Sequence, residues 1–465
     1  MFHPREIDRL LTEFTQFITR VNRHILEPKL PLQAVYRHCP EPVPFAQRLD
    51  GEYKPIREGE VWGKTWESAW FHVTGRIPED WAGKVVVAEL DCNGEGLVFN
   101  REGIVLQGIT NGSIFDARHA RSLVLLGDPC QGGEEVDLWV EGACNGLFGV
   151  QQPRDPDDDD PARYGHYEGK LNRLRLAVLN RDVLALKYDL GVLLSLLRSL
   201  NRESTRFARI ARAYRRCISV FAEDPANAQA ARDVLAEVLE QPAEASALEV
   251  TAVGHAHIDT GWLWPVRETI RKSARTFSSQ LELMNRYPQY VFGASQPQHY
   301  EFVKEHYPEL FERIREAVKR GQWECQGGMW VEADCNVISG ESMVRQFLYG
   351  KQFFMDEFGV DVRNLWIPDV FGYSGSMPQI MKKAGVDYFV TQKISWNQYN
   401  QFPYTTFRWR GIDGTEVITH FPPENTYNSG LYPESLRKAE ANFQEKDRLP
   451  GFLSLFGIGD GGGGP

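Results

Sequence analysis

Apolar residues recur at helical spacing over residues 6–27, with Ile7, Leu10, Leu11, Phe14, Phe17, Ile18, Val21 and Ile25 on one face, which predicts one amphipathic helix. From about Val43 to Leu186 the period shortens. Runs such as Trp70-Phe-His-Val-Thr, Lys84-Val-Val-Val-Ala-Glu-Leu, Gly96-Leu-Val-Phe, Ile104-Val-Leu and Val136-Asp-Leu-Trp-Val alternate with Gly, Pro and Asn turns, the signature of an antiparallel β-sandwich. Residues 190–240 return to helical period through Leu193, Leu197, Phe207, Ile210, Tyr214, Ala230, Val234 and Val238, and read as about three helices. Pro242 to Ala247 make a linker. Beyond it strand and helix alternate. The strands are Val250–Gly254, Val291–Ala294, Trp323–Gln326, Leu365–Pro368, Tyr388–Thr391, Val417–Thr419 and Leu453–Phe456; the helices include Thr269–Asn285, Glu309–Arg320 and Ser342–Glu357. Seven βα repeats predict a parallel barrel or an open α/β sheet. The chain therefore divides into an N-terminal helix (1–30), a β-sandwich-like domain (31–190), a helical connector (191–247) and an α/β domain (248–465).

Composition narrows the functional classes. At 465 residues, two or three domains are expected, and 42% hydrophobic with 25% charged residues is ordinary for a globular protein. A net charge of −11 with no basic, aromatic-interleaved run argues against nucleic acid as a partner. The N-terminus lacks an apolar leader region, and no stretch is long enough for a membrane span. Seven scattered cysteines without a CxxC predict reduced, buried thiols and a cytoplasmic protein. The acidic stretch Asp155-Pro-Asp-Asp-Asp-Asp-Pro reads as a solvated loop, with a calcium loop as the alternative.

The chemistry collects where the predicted strands end. His255-Ala-His-Ile-Asp-Thr-Gly-Trp-Leu-Trp follows the first strand, so His255, His257 and Asp259 share one face while the chain stays extended. Imidazole and carboxylate together make half of a zinc or other divalent site, and Trp262 and Trp264 suit a sugar ring. The other strands end in Ser295 and Gln296, in the loop carrying Glu332 and Asp334, in Asp369, in Gln392 and Lys393, in His420, and in Asp460. In α/β barrels such ends carry the catalytic groups, and a core has no use for so many unpaired charges. The glycines at 461–464 resemble a phosphate loop only superficially, since the Lys-Ser/Thr of a P-loop is missing.

Residues 248–465 resemble the catalytic domain of glycoside hydrolase family 38, the retaining α-mannosidases. The likeness is carried by Ala256-His-Ile-Asp-Thr-Gly-Trp, Gly327-Gly-Met-Trp-Val-Glu-Ala-Asp, Trp366-Ile-Pro-Asp-Val-Phe-Gly-Tyr-Ser-Gly-Ser-Met-Pro-Gln-Ile and Phe407-Arg-Trp-Arg-Gly-Ile-Asp-Gly-Thr-Glu-Val. The preceding part is similar to the region before the barrel in the cytosolic and bacterial branch. The resemblance implies a seven-stranded (β/α) barrel and a catalytic zinc, with Co2+ or Ca2+ as other candidates. It makes His257, Asp259 and Asp369 metal ligands and Asp369 also the nucleophile. Trp262 would stack beneath the sugar, and Lys393 and Tyr427 are looser matches to substrate contacts. The general acid is Asp460 or Asp334; Asp334 otherwise counts as a substrate contact. The implied substrate is a glycan with terminal α-mannose; self-association is left open. The family's fourth ligand is a His beyond the barrel, with further domains after it, and this chain reaches Pro465 without one. It therefore reads as part of a longer enzyme that alone holds metal weakly, its activity alone being open. His420 reads as a residue behind the ligands or facing substrate. A metal-dependent amidohydrolase built on His255-x-His257 and a non-catalytic carbohydrate-binding scaffold are the rival readings.

Overall fold

The computed structural model describes residues 4–112, 120–149 and 166–465. The acidic stretch 155–161 lies outside them. Helix α1 (Pro4–Asn22) buries Ile7, Leu10, Phe14, Phe17 and Val21, the stripe its spacing predicts. It packs on α2 (Arg181–Ser199), α3 (Thr205–Phe221) and α4 (Ala228–Leu239), with Phe14 stacked on Tyr214 at 3.9 Å. Caps set where these helices begin. The Asn180 side chain accepts the Val183 N–H at 3.1 Å, and the Ser204 hydroxyl accepts that of Phe207 at 3.2 Å. The helical segment thus begins at Arg181, earlier than residue 191.

The sandwich is built from β1 (Leu26–Pro31), β2 (Gln33–Cys39), β3 (Lys54–Ile56), β4 (Val61–Lys64), β5 (Ser68–Arg76), β6 (Val86–Asp91), β7 (Glu95–Phe99), β8 (Val105–Ile109), β9 (Leu123–Gly127), β10 (Glu135–Ala143), β11 (Glu168–Lys170) and β12 (Arg173–Leu179). One sheet runs β3-β2-β5-β10-β7-β8, the other β1-β12-β6-β9, and β11 pairs with β4. All these pairings are antiparallel. Because β1 pairs with β12, the sheet begins ahead of residue 31. Alternating residues such as Val73, Val136, Leu138 and Val140 meet Val86, Ala88, Leu90, Leu174 and Leu176 in one core.

The α/β part contains β13 (Glu249–His255), α5 (Val266–Arg286), β14 (Phe292–Ala294), α6 (Pro297–His306), α7 (Pro308–Lys319), β15 (Trp323–Cys325), α8 (Gly340–Phe358), β16 (Asn364–Trp366), α9 (Met377–Lys383), β17 (Tyr388–Val390), β18 (Thr406–Arg410), β19 (Glu416–His420), α10 (Pro433–Asn442) and β20 (Gly451–Phe456). Each expected strand is present. Among the described residues, however, they form two sheets and not one closed ladder: β15-β14-β13-β20 is parallel throughout, and β16-β17-β19 is parallel with β18 antiparallel at its edge. Side chains bridge the seams. Asn364 accepts the Gly327 N–H at 2.8 Å, and Nε2 of His420 accepts the Leu453 N–H at 3.3 Å. His420, read from the sequence as lying behind the ligands or facing substrate, instead spends this nitrogen on a seam bond. Its other nitrogen meets the Thr406 hydroxyl at 2.8 Å, and burial drops its pKa to about 4.

Helix α5 lies between the α/β domain and the sandwich and is buried nearly all round, its polar residues included: Glu268, Thr269, Arg271, Lys272, Arg275, Thr276 and Gln280. The aromatic core is continuous across this joint, from Trp70, Phe99 and Trp139 to Phe277, Tyr300 and Trp323.

Candidate active site

The extended chain leaving β13 places His257 and Asp259 two residues apart on one face. Nε2 of His257 lies 3.2 Å from Asp259 Oδ1 and 3.5 Å from Asp369 Oδ2. Asp369 follows β16 after Ile367, whose N–H still bonds to Val390 O at 3.1 Å, and its other oxygen is ion-paired with Lys393 from the end of β17. Asp460 follows β20. Donor atoms of His257, Asp369 and Asp460 all lie within 4.8 Å of one another, and the Asp259 carboxylate joins them through His257 Nε2.

The second nitrogen of His257 faces Glu332 Oε1 at 3.1 Å, and Ser295 donates to that same oxygen at 3.0 Å. Gln296 fixes both sides of this contact, donating to Ile258 O at 2.9 Å and accepting the Glu332 N–H at 3.2 Å. A carboxylate behind a histidine selects the tautomer and leaves the other nitrogen's lone pair for a metal. With Nδ1–H given to Glu332, Nε2 faces two carboxylates, an arrangement that calls for a cation. The 3.2 and 3.5 Å separations match the edge of a tetrahedron around zinc, about 3.4 Å for bonds of ~2.0–2.1 Å. The donors fit a divalent ion.

His255 does not join them. Its Nδ1 bonds to Gly293 O at 3.0 Å and its Nε2 accepts the Trp366 indole N–H at 3.4 Å, so both nitrogens are spent. Burial lowers its pKa to about 3. Donor atoms of His255, His257 and Glu332 do lie within 4.8 Å of one another, but the bonds to Gly293 and Trp366 already occupy both nitrogens of His255.

Electrostatics separate the two acids. Burial works against the Asp369 carboxylate, but hydrogen bonds from His257 and Lys393 outweigh it and hold its pKa below the ordinary value. Burial raises that of Asp460, with the neighbouring Asp369 and Asp259 charges adding to it and the Tyr427 hydroxyl opposing. Tyr427 is buried, donates its O–H to Asp460, and has its ring 5.3 Å from that of His257. Burial also raises Glu332 against the pull of His257.

Exposed aromatic side chains follow the site residues in the chain, and two of them pack on Lys393. Trp262 is 53% exposed, edge-on to the buried Trp264 at 5.7 Å. The Lys393 ammonium sits 3.4 Å from the centroid of Trp396 and 4.5 Å from that of Phe371. Asp334 stands apart. It is exposed, and its Oδ1 caps its own turn by accepting the N–H groups of Asn336 at 2.7 Å and Val337 at 2.9 Å. Sequence reasoning named Glu332 only as a polar strand end. The signal that could have given it a role was the need of a buried ligating imidazole for a carboxylate partner.

The glycines at 461–464 have a packing reason. Gly461 lies so close to Leu147 that a Cβ would fall 1.8 Å from its carbonyl oxygen, and Gly462 has φ +79.

The Glycosyl hydrolases family 38 N-terminal domain profile matches residues 247–465, and that of the alpha-mannosidase jelly roll domain matches residues 30–169. Human alpha-mannosidase 2C1 is 40% identical over 92% of this chain and 40% of its own length. Alpha-mannosidase G of Dictyostelium discoideum is 39% identical over 91% of the chain and 38% of its own length. Alpha-mannosidase of Saccharomyces cerevisiae is 34% identical over 89% and 38%. The chain thus spans about two-fifths of the length of these curated relatives.

Proposed function

Since the chain belongs to glycosyl hydrolases family 38, we propose that it forms the catalytic part of a metal-dependent retaining α-mannosidase acting on glycans with terminal α-linked mannose. The observation that carries this reading is the convergence of His257, Asp369 and Asp460 within 4.8 Å at one set of strand ends. Carboxylates this close are nearer the ~5–5.5 Å spacing of a retaining pair than the roughly 6.5–9.5 Å of an inverting one, which supports retention.

In this reading Asp369 attacks the anomeric carbon. Its ionised state is favoured by Lys393 and His257, and the displaced sugar oxygen takes a proton from Asp460, whose acid form burial favours. The two environments push two carboxyls in opposite directions, as acid and nucleophile require. The mannosyl ester formed on Asp369 is then cleaved by water, with Asp460 taking back the proton. His257, Asp259 and Asp369 would hold the divalent ion, for which zinc is the candidate the family resemblance implies, with Glu332 orienting His257. When bound, that ion supplies Lewis acidity toward sugar hydroxyls. Trp262 offers an exposed apolar face for the ring.

The test is hydrolysis of p-nitrophenyl α-mannoside by the protein that carries this chain, with a chelator and after zinc is restored. Release that stops with chelator, returns with zinc and yields α-mannose first supports the reading. No nitrophenol at any metal concentration sinks it, and β-mannose as first product rules out retention.

A further inference from the structure

Asp460 lies in the segment 457–464, which leaves β20 and folds back along the end of β13. Asp259 N–H donates to Asp460 O at 2.9 Å, Gly462 N–H donates to His257 O at 3.2 Å, and Ile258 bridges Gly461. Asp460 has φ +62, a sparsely populated conformation for a residue with a side chain, which persists where the surroundings pin it.

The pin on the far side comes from the sandwich. Arg121 directs one guanidinium nitrogen to Gly463 O and the other to Gly464 O at 2.7 Å, across 342 residues of chain in the first case. Its own backbone is tied to Thr110, just past β8, by reciprocal N–H to O bonds of 2.9 Å. Helix α5 completes the clamp: Gln280 donates to Gly463 O at 2.8 Å and Thr276 accepts the Gly463 N–H at 3.0 Å. The Leu147 carbonyl that abuts Gly461 is itself held by Lys272 at 2.8 Å. A planar fork on two successive carbonyls fixes both position and rotation of the segment, which a single flexible ammonium does not.

We propose that Arg121 is a positioning residue for the reaction: through the carbonyls of Gly463 and Gly464 it sets where the Asp460 carboxyl meets the leaving oxygen. The inference rests on Asp460 being the proton donor. It gives the jelly roll a part in catalysis without any sugar contact of its own.

The test compares kcat/KM of the parent, Arg121→Gln and Arg121→Lys on two substrates, in the protein that carries this chain. 2,4-Dinitrophenyl α-mannoside has a leaving group that needs no proton; methyl α-mannoside has one that does. A displaced acid costs the second reaction and spares the first. Arg121→Gln should lose roughly 30- to 100-fold on the methyl glycoside and less than about threefold on the dinitrophenyl one, with Arg121→Lys between it and the parent. Amide hydrogen exchange of a peptide covering 457–465 should quicken in Arg121→Gln while peptides from β14 and β15 keep their rates. Equal losses on both substrates overturn the proposal, as does parental exchange. If Arg121→Gln does not fold, Arg121→Lys decides alone: parental rates on both substrates and parental exchange reject the role. Asp460→Ala separates the two claims. If it discriminates between the substrates and Arg121 variants do not, only the positioning role falls; if it does not discriminate, the acid assignment falls first.

Discussion

Two buried polar clusters lie on either side of the same strand end, and they are built on opposite principles. At the joint between sandwich and α/β domain, three carboxylates meet three cations. Glu95 pairs with Lys272 at 2.6 Å and Arg275 at 3.1 Å, Glu141 with Arg271 at 2.9 Å, and Glu268 with Arg271 at 2.8 Å. At the strand ends, Asp259, Asp369, Asp460 and Glu332 crowd around His257 and Lys393. The first cluster is neutral and closed. The second carries more negative charge than it can neutralise, a standing cost that makes sense where a cation and a reacting sugar enter. A balanced buried network holds a structure together; an unbalanced one marks where chemistry is done.

That contrast can be broken by mutation. The largest effect should come from Asp369→Ala, which ought to lower kcat on p-nitrophenyl α-mannoside by roughly a thousandfold or more; because it also strands the buried Lys393, the metal-free melting temperature should fall as well. A kcat within about tenfold of the parent's would remove Asp369 from the nucleophile's place. Glu95→Gln should act on stability alone. It strands Lys272 and Arg275 in the joint, and urea unfolding should report a loss of about 3–5 kcal/mol; a loss below about 1 kcal/mol would mean the joint is not a charge-balanced core. Zinc at about a hundred times its dissociation constant should stabilise the parent by about 2.7 kcal/mol, reversibly with chelator, and should do nothing for His257→Ala. Equal stabilisation of both would move the ion elsewhere. The smallest effect is expected for Glu332→Gln, which keeps the shape but weakens the hold on His257 Nδ1. Zinc affinity measured by competition with a chromophoric chelator should fall roughly 10- to 100-fold, and an unchanged affinity would reduce Glu332 to a packing residue.

Much of this was legible from local pattern. The seven strands of the α/β domain appear within a residue or two of their expected bounds, since apolar run length and turn residues are local properties. His257, Asp259, Asp369 and Asp460 stood out as candidates because a strand's end is visible in sequence, and ends are where an α/β fold displays its chemistry. The antiparallel β18 was not anticipated as a strand. Its Thr406-Phe-Arg-Trp-Arg does alternate aromatic with charged residues, but the run is short and none of it is fully buried.

What the chain could not announce were partners. Periodicity says which face a residue occupies and nothing about what meets that face. His255 and His257 look alike in sequence; folding gives one to Gly293 and Trp366 and leaves the other for Glu332 and two aspartates. His420 and Asn364 became the bonds that close seams between sheets, and the terminal glycines became the space into which Leu147 and Arg121 fit. Secondary structure and the inventory of reactive groups follow from neighbours along the chain. Which of those groups are neutralised, which are spent on packing and which remain free to react depends on contacts between residues far apart in sequence, and these exist only once the domains have closed on α5.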